Sequence, residues 1–170
     1  MIIALSGHRE KRLNLPLSIK DKQWTDILNW LKETITNIIN EHPNEEIICY
    51  SGLACGSDMA FACAVIDLKK QGYNIKLHGI APCNNYNCSD PNYKYVYRNC
   101  DNVIDIHDEW IKGCDTDRDN YMLEHCDILI VIYDKIRTGG VYNIIKNAEK
   151  INKPIIYCPE EIVCKHQNLF

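Results

Sequence analysis

Two glycine-centred turns hold the residue types best suited to binding chemistry. Ser51-Gly52-Leu53-Ala54-Cys55-Gly56-Ser57-Asp58 follows the apolar run Ile47-Ile48-Cys49-Tyr50, and Thr138-Gly139-Gly140-Val141-Tyr142 follows Ile128-Leu129-Ile130-Val131-Ile132-Tyr133. Each pattern predicts a buried strand, then a small-residue loop, then a helix. Where such a helix opens, its first N–H groups lack partners and its dipole presents a positive end. Glycine lets a ligand oxygen reach that backbone. Two junctions of this kind in one domain point to a pocket for a phosphorylated or ribosyl ligand.

Polar side chains near these turns add to the reading, and each also has a plainer role. Ser6 and Gly7, after the run Ile2-Ile3-Ala4-Leu5, are a ligand contact or an ordinary turn. Arg9 is suited to clamp a phosphate, and His8 to act as a polar or acid–base partner or to remain a solvated loop histidine. Gly52 and Gly56 admit a ligand or only allow close helix–strand packing. Ser51 and Ala54 belong to the same loop. Asp58 sits where a carboxylate favours a helix start. Arg118 contacts the ligand or pairs with Asp115 or Asp117. Asn120 and Tyr121 are placed to hydrogen-bond or stack against a base. Thr138, Gly139 and Gly140 form the stronger phosphate loop, and Tyr142 closes over the ligand or packs on the sheet.

The elements that must hold these residues alternate. Apolar runs predict strands over 2–5, 47–50, 75–80, 103–106, 127–133 and 154–157. Helices are expected over 21–40, 58–71, 92–100, 117–124 and 141–150. In the first of these, Trp24, Ile27, Leu28, Leu31, Ile35, Ile38 and Ile39 share a face. The Asn- and Cys-rich stretch 83–92 reads as an irregular loop. Strand–helix alternation with near-continuous apolar strands predicts an α/β Rossmann-like single domain over 1–160. Its mainly parallel sheet is covered by helices on both faces, with a tail over 161–170. Right-handed crossovers then gather the glycine turns at the carboxyl edge of the sheet.

Composition narrows the function classes. A length of 170 residues and 46% hydrophobic content fit one domain with a sizeable core. The net charge of −4 argues against broad electrostatic binding to nucleic acid or an anionic membrane. No apolar run approaches the ~20 residues that span a bilayer. The opening residues read as a first strand and not as a leader, so a cytoplasmic protein is expected.

Ten cysteines lie at 49, 55, 63, 83, 88, 100, 114, 126, 158 and 164, with no Cys-x-x-Cys pair. Most fall in apolar runs and read as small buried hydrophobes carrying free thiols. The alternatives are a metal site from Cys83, Cys88, His107 and Cys114, whose spacing fits no zinc pattern, and a reactive Cys55 at a helix start. No metal and no cofactor are expected.

Taken in order, the motifs resemble the YspA/YpsA-like branch of the SLOG superfamily, Rossmann-like proteins related to the LOG and DprA proteins. The matching pieces are Ser6-Gly7-His8-Arg9, the loop from Ser51 to Asp58, Ile80-Ala81-Pro82, Arg118-Asp119-Asn120-Tyr121-Met122-Leu123, Cys126-Asp127-Ile128-Leu129-Ile130 and Gly139-Gly140. The resemblance implies a site for a nucleotide or nucleotide-derived molecule at the strand C-termini, with Asp58 able to face a ribose. It also implies a bacterial or phage setting, near nucleotide-signal defence, and a homo-oligomer.

One departure bears on activity. LOG-type enzymes cleave nucleoside monophosphates with the Glu of a Gly-Gly-x-Gly-Thr-x-x-Glu motif. Here that position falls on Lys146 or Ile144, depending on register, and Val141 replaces the Thr of closer relatives. The expectation is therefore a binding protein, sensor or sequestering, with no assigned catalytic residue. The enzymatic alternative is an N-glycosidic hydrolase of a nucleotide or an ADP-ribose-like molecule, with Asp58 as its best acid. The second alternative is DprA-like DNA binding through the basic cluster His8, Arg9, Lys11 and Arg12.

Overall fold

Every predicted strand forms, and each runs parallel to its neighbours. The computed structural model describes residues 1–167. The strands are β1 (Ile2–Gly7), β2 (Ile47–Ser51), β3 (Ile75–Ala81), β4 (Asn102–Asp105), β5 (Ile128–Ile132) and β6 (Ile155–Tyr157). They form one sheet in the order β4-β3-β2-β1-β5-β6. From β1 the chain builds outward through β2, β3 and β4, then crosses back to place β5 on the other side of β1. The order reverses between β1 and β5, and a Rossmann-like sheet opens its ligand crevice at such a point.

The helices are α1 (Glu10–Leu13), α2 (Thr25–Glu41), α3 (Ser57–Lys70), α4 (Tyr93–Asn99), α5 (Cys114–His125), α6 (Gly139–Lys150) and α7 (Glu160–Val163). They divide between the two faces. On one face the core joins Ile27, Leu31 and Ile35 of α2, Phe61 and Val65 of α3 and Val163 of α7 to Ile3, Leu5 and Leu77 of the sheet. On the other, Met122 and Leu123 of α5 and Ile144, Ile145 and Ala148 of α6 cover Ala4, Ile80, Leu129 and Val131. Strands buried on both sides explain the lack of apolar–polar alternation in their sequences. Truncating the fully buried Leu31 to Ala would cost about 2–5 kcal/mol.

Element boundaries differ from the sequence reading where polar residues do structural work. The segment expected as one helix from residue 21 begins as a 3-10 turn, Lys22–Trp24, because Asp21 accepts a hydrogen bond from the Gln23 N–H (2.9 Å) and caps it. α5 starts at Cys114, and so Arg118 lies in its second turn and not at its opening. α6 starts at Gly139, two residues earlier than the apolar pattern indicated. α1, a single turn after β1, has too short a period to read from sequence. Among the described residues no helix is long and apolar enough to cross a membrane.

Candidate functional site

Gly7 ends β1, Gly52 follows β2 and Gly139 follows β5; in a parallel sheet these positions share one edge. There, at the switch between β1 and β5, lies a cleft of ≈ 300 Å³. Its walls include Ser6, Gly7, His8 and Arg9 from the β1 turn and Arg12 from α1. Ala54 and Asp58 enter from the β2–α3 junction, Asp115, Arg118 and Asp119 from α5, and Gly140 and Val141 from α6.

Three positive side chains meet here under different constraints. Arg12 is tied down: Nε donates to Asp134 Oδ2 (2.7 Å), Nη2 to Oδ1 (3.1 Å) and to the Ile136 carbonyl (3.2 Å), and Nη1 to the Thr138 carbonyl (3.2 Å). It thereby holds the loop that leads into α6. Arg118 is buried; Nη1 donates to the Gly52 carbonyl (2.7 Å) and Nε to Asp119 Oδ1 (3.0 Å). Its pKa is raised: burial opposes the charge, but the Asp119 and Asp58 carboxylates outweigh it. Arg9 is exposed and, among the described residues, makes no side-chain hydrogen bond or ion pair, so it is the cation with freedom to meet a ligand.

The acidic groups are unusual. Asp58 is buried, and its Oδ2 accepts from the Ala54 N–H (3.2 Å). Burial pushes its carboxyl up to about 6, against the pull of Arg118. Asp119 is also raised by burial. His8 is buried and lowered by that burial, in spite of Asp134 Oδ1 at 2.9 Å from Nε2. Nε2 is thus turned toward the Asp134 carboxylate and buried with it. The His8 backbone is fixed by Ser57, whose Oγ and N–H both donate to its carbonyl (2.6 and 3.2 Å).

The glycines divide by role. A Cβ on Gly7 would fall 2.5 Å from Ser57 Cβ, and on Gly56 2.6 Å from the Glu10 nitrogen; both let chain segments touch. A Cβ on Gly52 would meet Asp58 Oδ2 at 2.7 Å and Arg118 Cζ at 3.0 Å, so its bareness makes room for the arginine. Around Gly140 nothing lies within 4 Å of that position. Gly140 and Val141 also line the cleft in the first turn of α6, where Thr138 gives no side-chain cap and the first N–H groups lack intrahelical partners.

Other expected site residues lie outside this cleft. The Ser51 hydroxyl donates to the Asp58 carbonyl (2.9 Å) and serves the first turn of α3. Tyr121 stacks on Tyr50 and His125, packing α5 on the sheet, and Asn120 sits half-buried on the same helix. Thr138 and Gly139 lie in the loop gripped by Arg12. Tyr142 stacks on Tyr133 and lines a neighbouring cleft. The sequence reading did not select Asp115, Asp119 or Asp134, nor Arg12 for a role in this cleft. Asp119, adjacent to Arg118, and Asp134, directly after the strand run, were the available signals.

All ten cysteines are free thiols. Among the described residues no group of three or more His, Cys, Asp or Glu side chains is gathered to hold a metal. Cys55 is buried, with Sγ 3.6 Å from Ser89 Oγ. The basic cluster does not form a stripe: His8 is buried and Arg12 is committed to Asp134, leaving Arg9 and Lys11 exposed.

A family model described as the YspA SLOG family matches residues 3–163. No curated protein matches the chain.

Proposed function

The chain belongs to the YspA SLOG family, and on that premise we propose that it binds a nucleotide or nucleotide-derived small molecule in the β1–β5 cleft, as a sensor or sequestering protein. The observation that carries the reading is the pairing of two features across the cleft. The start of α6 at Gly140 and Val141, which has no side-chain cap, and the free Arg9 side chain line the same cleft. A phosphate oxygen between them meets N–H donors and a guanidinium, with no side chain at Gly140 to keep it off. Ser6, Ala54 and Arg118 complete the lining, and Arg118 supplies charge while staying fixed by its own partners. In the same reading the protein works in a reducing cytoplasm, as its free thiols suit, and as a homo-oligomer.

One observation favours an enzymatic second reading. Asp58 lines the cleft with a carboxyl pushed up to about 6, where it can hold or release a proton near neutrality. That property suits protonation of a leaving base in N-glycosidic cleavage. The ordinary glutamate position of such enzymes is no help: Ile144 is buried in the α6 core face, and Lys146 points to the neighbouring cleft.

Calorimetry with AMP, CMP and ADP-ribose, followed by chromatography of the same mixtures, separates these outcomes. Intact ligand retained at stoichiometric occupancy is expected. Multiple-turnover release of free base, lost in Asp58→Asn, would make the protein an enzyme. Absence of binding across the panel would overturn the nucleotide reading.

A further inference from the structure

The first turn of α6 has a cleft on each side. Beyond the β1–β5 cleft, a second of ≈ 460 Å³ lies over the ends of β5 and β6. Three tyrosines line it: Tyr133, Tyr142 and the exposed Tyr157. Tyr133 and Tyr142 are nearly parallel, 11° apart with centroids at 6.4 Å, and Lys146 Nζ stands 4.8 Å from the Tyr142 ring centroid. Three cations also line it. Lys135 is engaged by Glu160, but among the described residues neither Arg137 nor Lys146 forms an ion pair. One carboxylate, Glu149, opposes them. Aromatic faces beside unpaired cations, in a chain of net charge −4, are the recognition chemistry of a base carrying an anionic group.

The two clefts are close. Gly140 and Val141 line the first and Tyr142 lines the second, while the rings of His8, in the first, and Tyr133, in the second, are 5.6 Å apart. The ridge between them is the start of α6, where Gly139 and Gly140 carry no side chains; the space over Gly140 is open, and Arg12 Nη1 stands 3.1 Å from where a Gly139 Cβ would lie.

We infer that the two clefts form one bipartite site for a ligand with two nucleoside-like halves joined by a pyrophosphate, its linker crossing the Gly139–Gly140 saddle and its second base held among Tyr142, Tyr157 and Lys146. The inference rests on the nucleotide reading of the first cleft and specifies the class of ligand. A mononucleotide fills one half only. A pyrophosphate-linked dinucleotide sets its linker on the N–H groups of Gly140 and Val141 and gains a second ring contact across the ridge.

The test compares AMP with diadenosine 5′,5′-pyrophosphate, which carries nearly the same charge, by calorimetry. The dinucleotide is expected to bind at least about tenfold more tightly, the worth of one stacked base. In the double variant Lys146→Glu/Tyr157→Ala, whose changes lie outside the first cleft, the dinucleotide falls to the AMP level while AMP is unchanged. AMP binding with no dinucleotide advantage, or an advantage that survives the double variant, overturns the bipartite site and leaves the nucleotide reading standing. Binding of neither ligand overturns both.

Discussion

Arg12 and Asp134, 122 residues apart, form a two-point pair in which Nε donates to Oδ2 at 2.7 Å and Nη2 to Oδ1 at 3.1 Å. Asp134 also accepts from the Ile136 N–H (3.0 Å), so one buried carboxylate anchors α1, the end of β5 and the loop into α6. The candidate phosphate loop therefore owes its shape to an acid that needs no ligand contact of its own.

Asp134→Asn should cost about 2–3 kcal/mol, because it weakens two charge-assisted hydrogen bonds and leaves Arg12 without its counter-charge. Burial alone would raise the Asp134 carboxyl, but Arg12 and the Ile136 N–H hold it below its ordinary value. A lowered folded-state pKa contributes stability above the unfolded value, near 4, that is lost as pH falls through the lowered one. Urea unfolding between pH 7 and pH 3 is the measurement. The variant should lack this part of the acid loss, and an identical acid limb in both proteins would contradict the assignment.

Asp58 has the opposite sign. Its folded carboxyl is raised to about 6, so its burial favours the protonated form. That contribution is complete below about 4 and is lost as pH rises through about 6. Asp58→Asn should therefore be more stable than the parent at pH 8, by about 1–2 kcal/mol, with the gain vanishing near pH 4. ADP-ribose, whose pyrophosphate keeps its charge over this range, should bind the parent more tightly as pH falls from 7.5 to 5.5. Calorimetry should find the Asp58→Asn variant flat over the same interval.

Arg9 and Arg118 should separate binding from folding. Arg9→Ala, at an exposed side chain without a protein partner, should weaken ADP-ribose by ~1.5–3 kcal/mol and leave the urea midpoint in place. Arg118→Ala leaves the buried Asp58 and the half-buried Asp119 without their cation and should cost ~3–5 kcal/mol of stability. A stable Arg118→Ala protein would show that these carboxylates find another partner.

Gly7 and Gly140 should respond to alanine in opposite ways. Gly7→Ala forces its Cβ against Ser57 and should cost about 3 kcal/mol. Gly140→Ala meets open space at a helical position and should gain roughly 0.5–1 kcal/mol. Gly139 stands at φ +87°, where any side chain is strained, so bulk added there tests the backbone before it tests the cleft. Thermal unfolding of the two alanine variants distinguishes the roles.

The strand–helix alternation and the common edge of Gly7, Gly52 and Gly139 were legible in the amino-acid order. Buried strands are written as short apolar runs and helices as a period near 3.6, and parallel connections then leave no choice of edge. Ser6, His8, Arg9, Ala54, Asp58, Arg118 and Gly140, which line one cleft, could be selected as candidates because each sits at or near such a junction. Which of them would face one cleft was not written locally. Arg118 reaches the Gly52 carbonyl across 66 residues, and Arg12 reaches Asp134 across 122. Tyr121 and Tyr142 look alike in sequence as aromatic residues near a helix start, yet one packs α5 on the sheet and the other opens onto a cleft. The raised carboxyl of Asp58 likewise depends on its burial in the fold, with Arg118 and Asp119 of α5 pulling it in opposite directions. Periodicity is a property of neighbours along the chain and determined the scaffold; burial, pairing and the shape of the cleft depend on neighbours in space, and only the tertiary structure decided them.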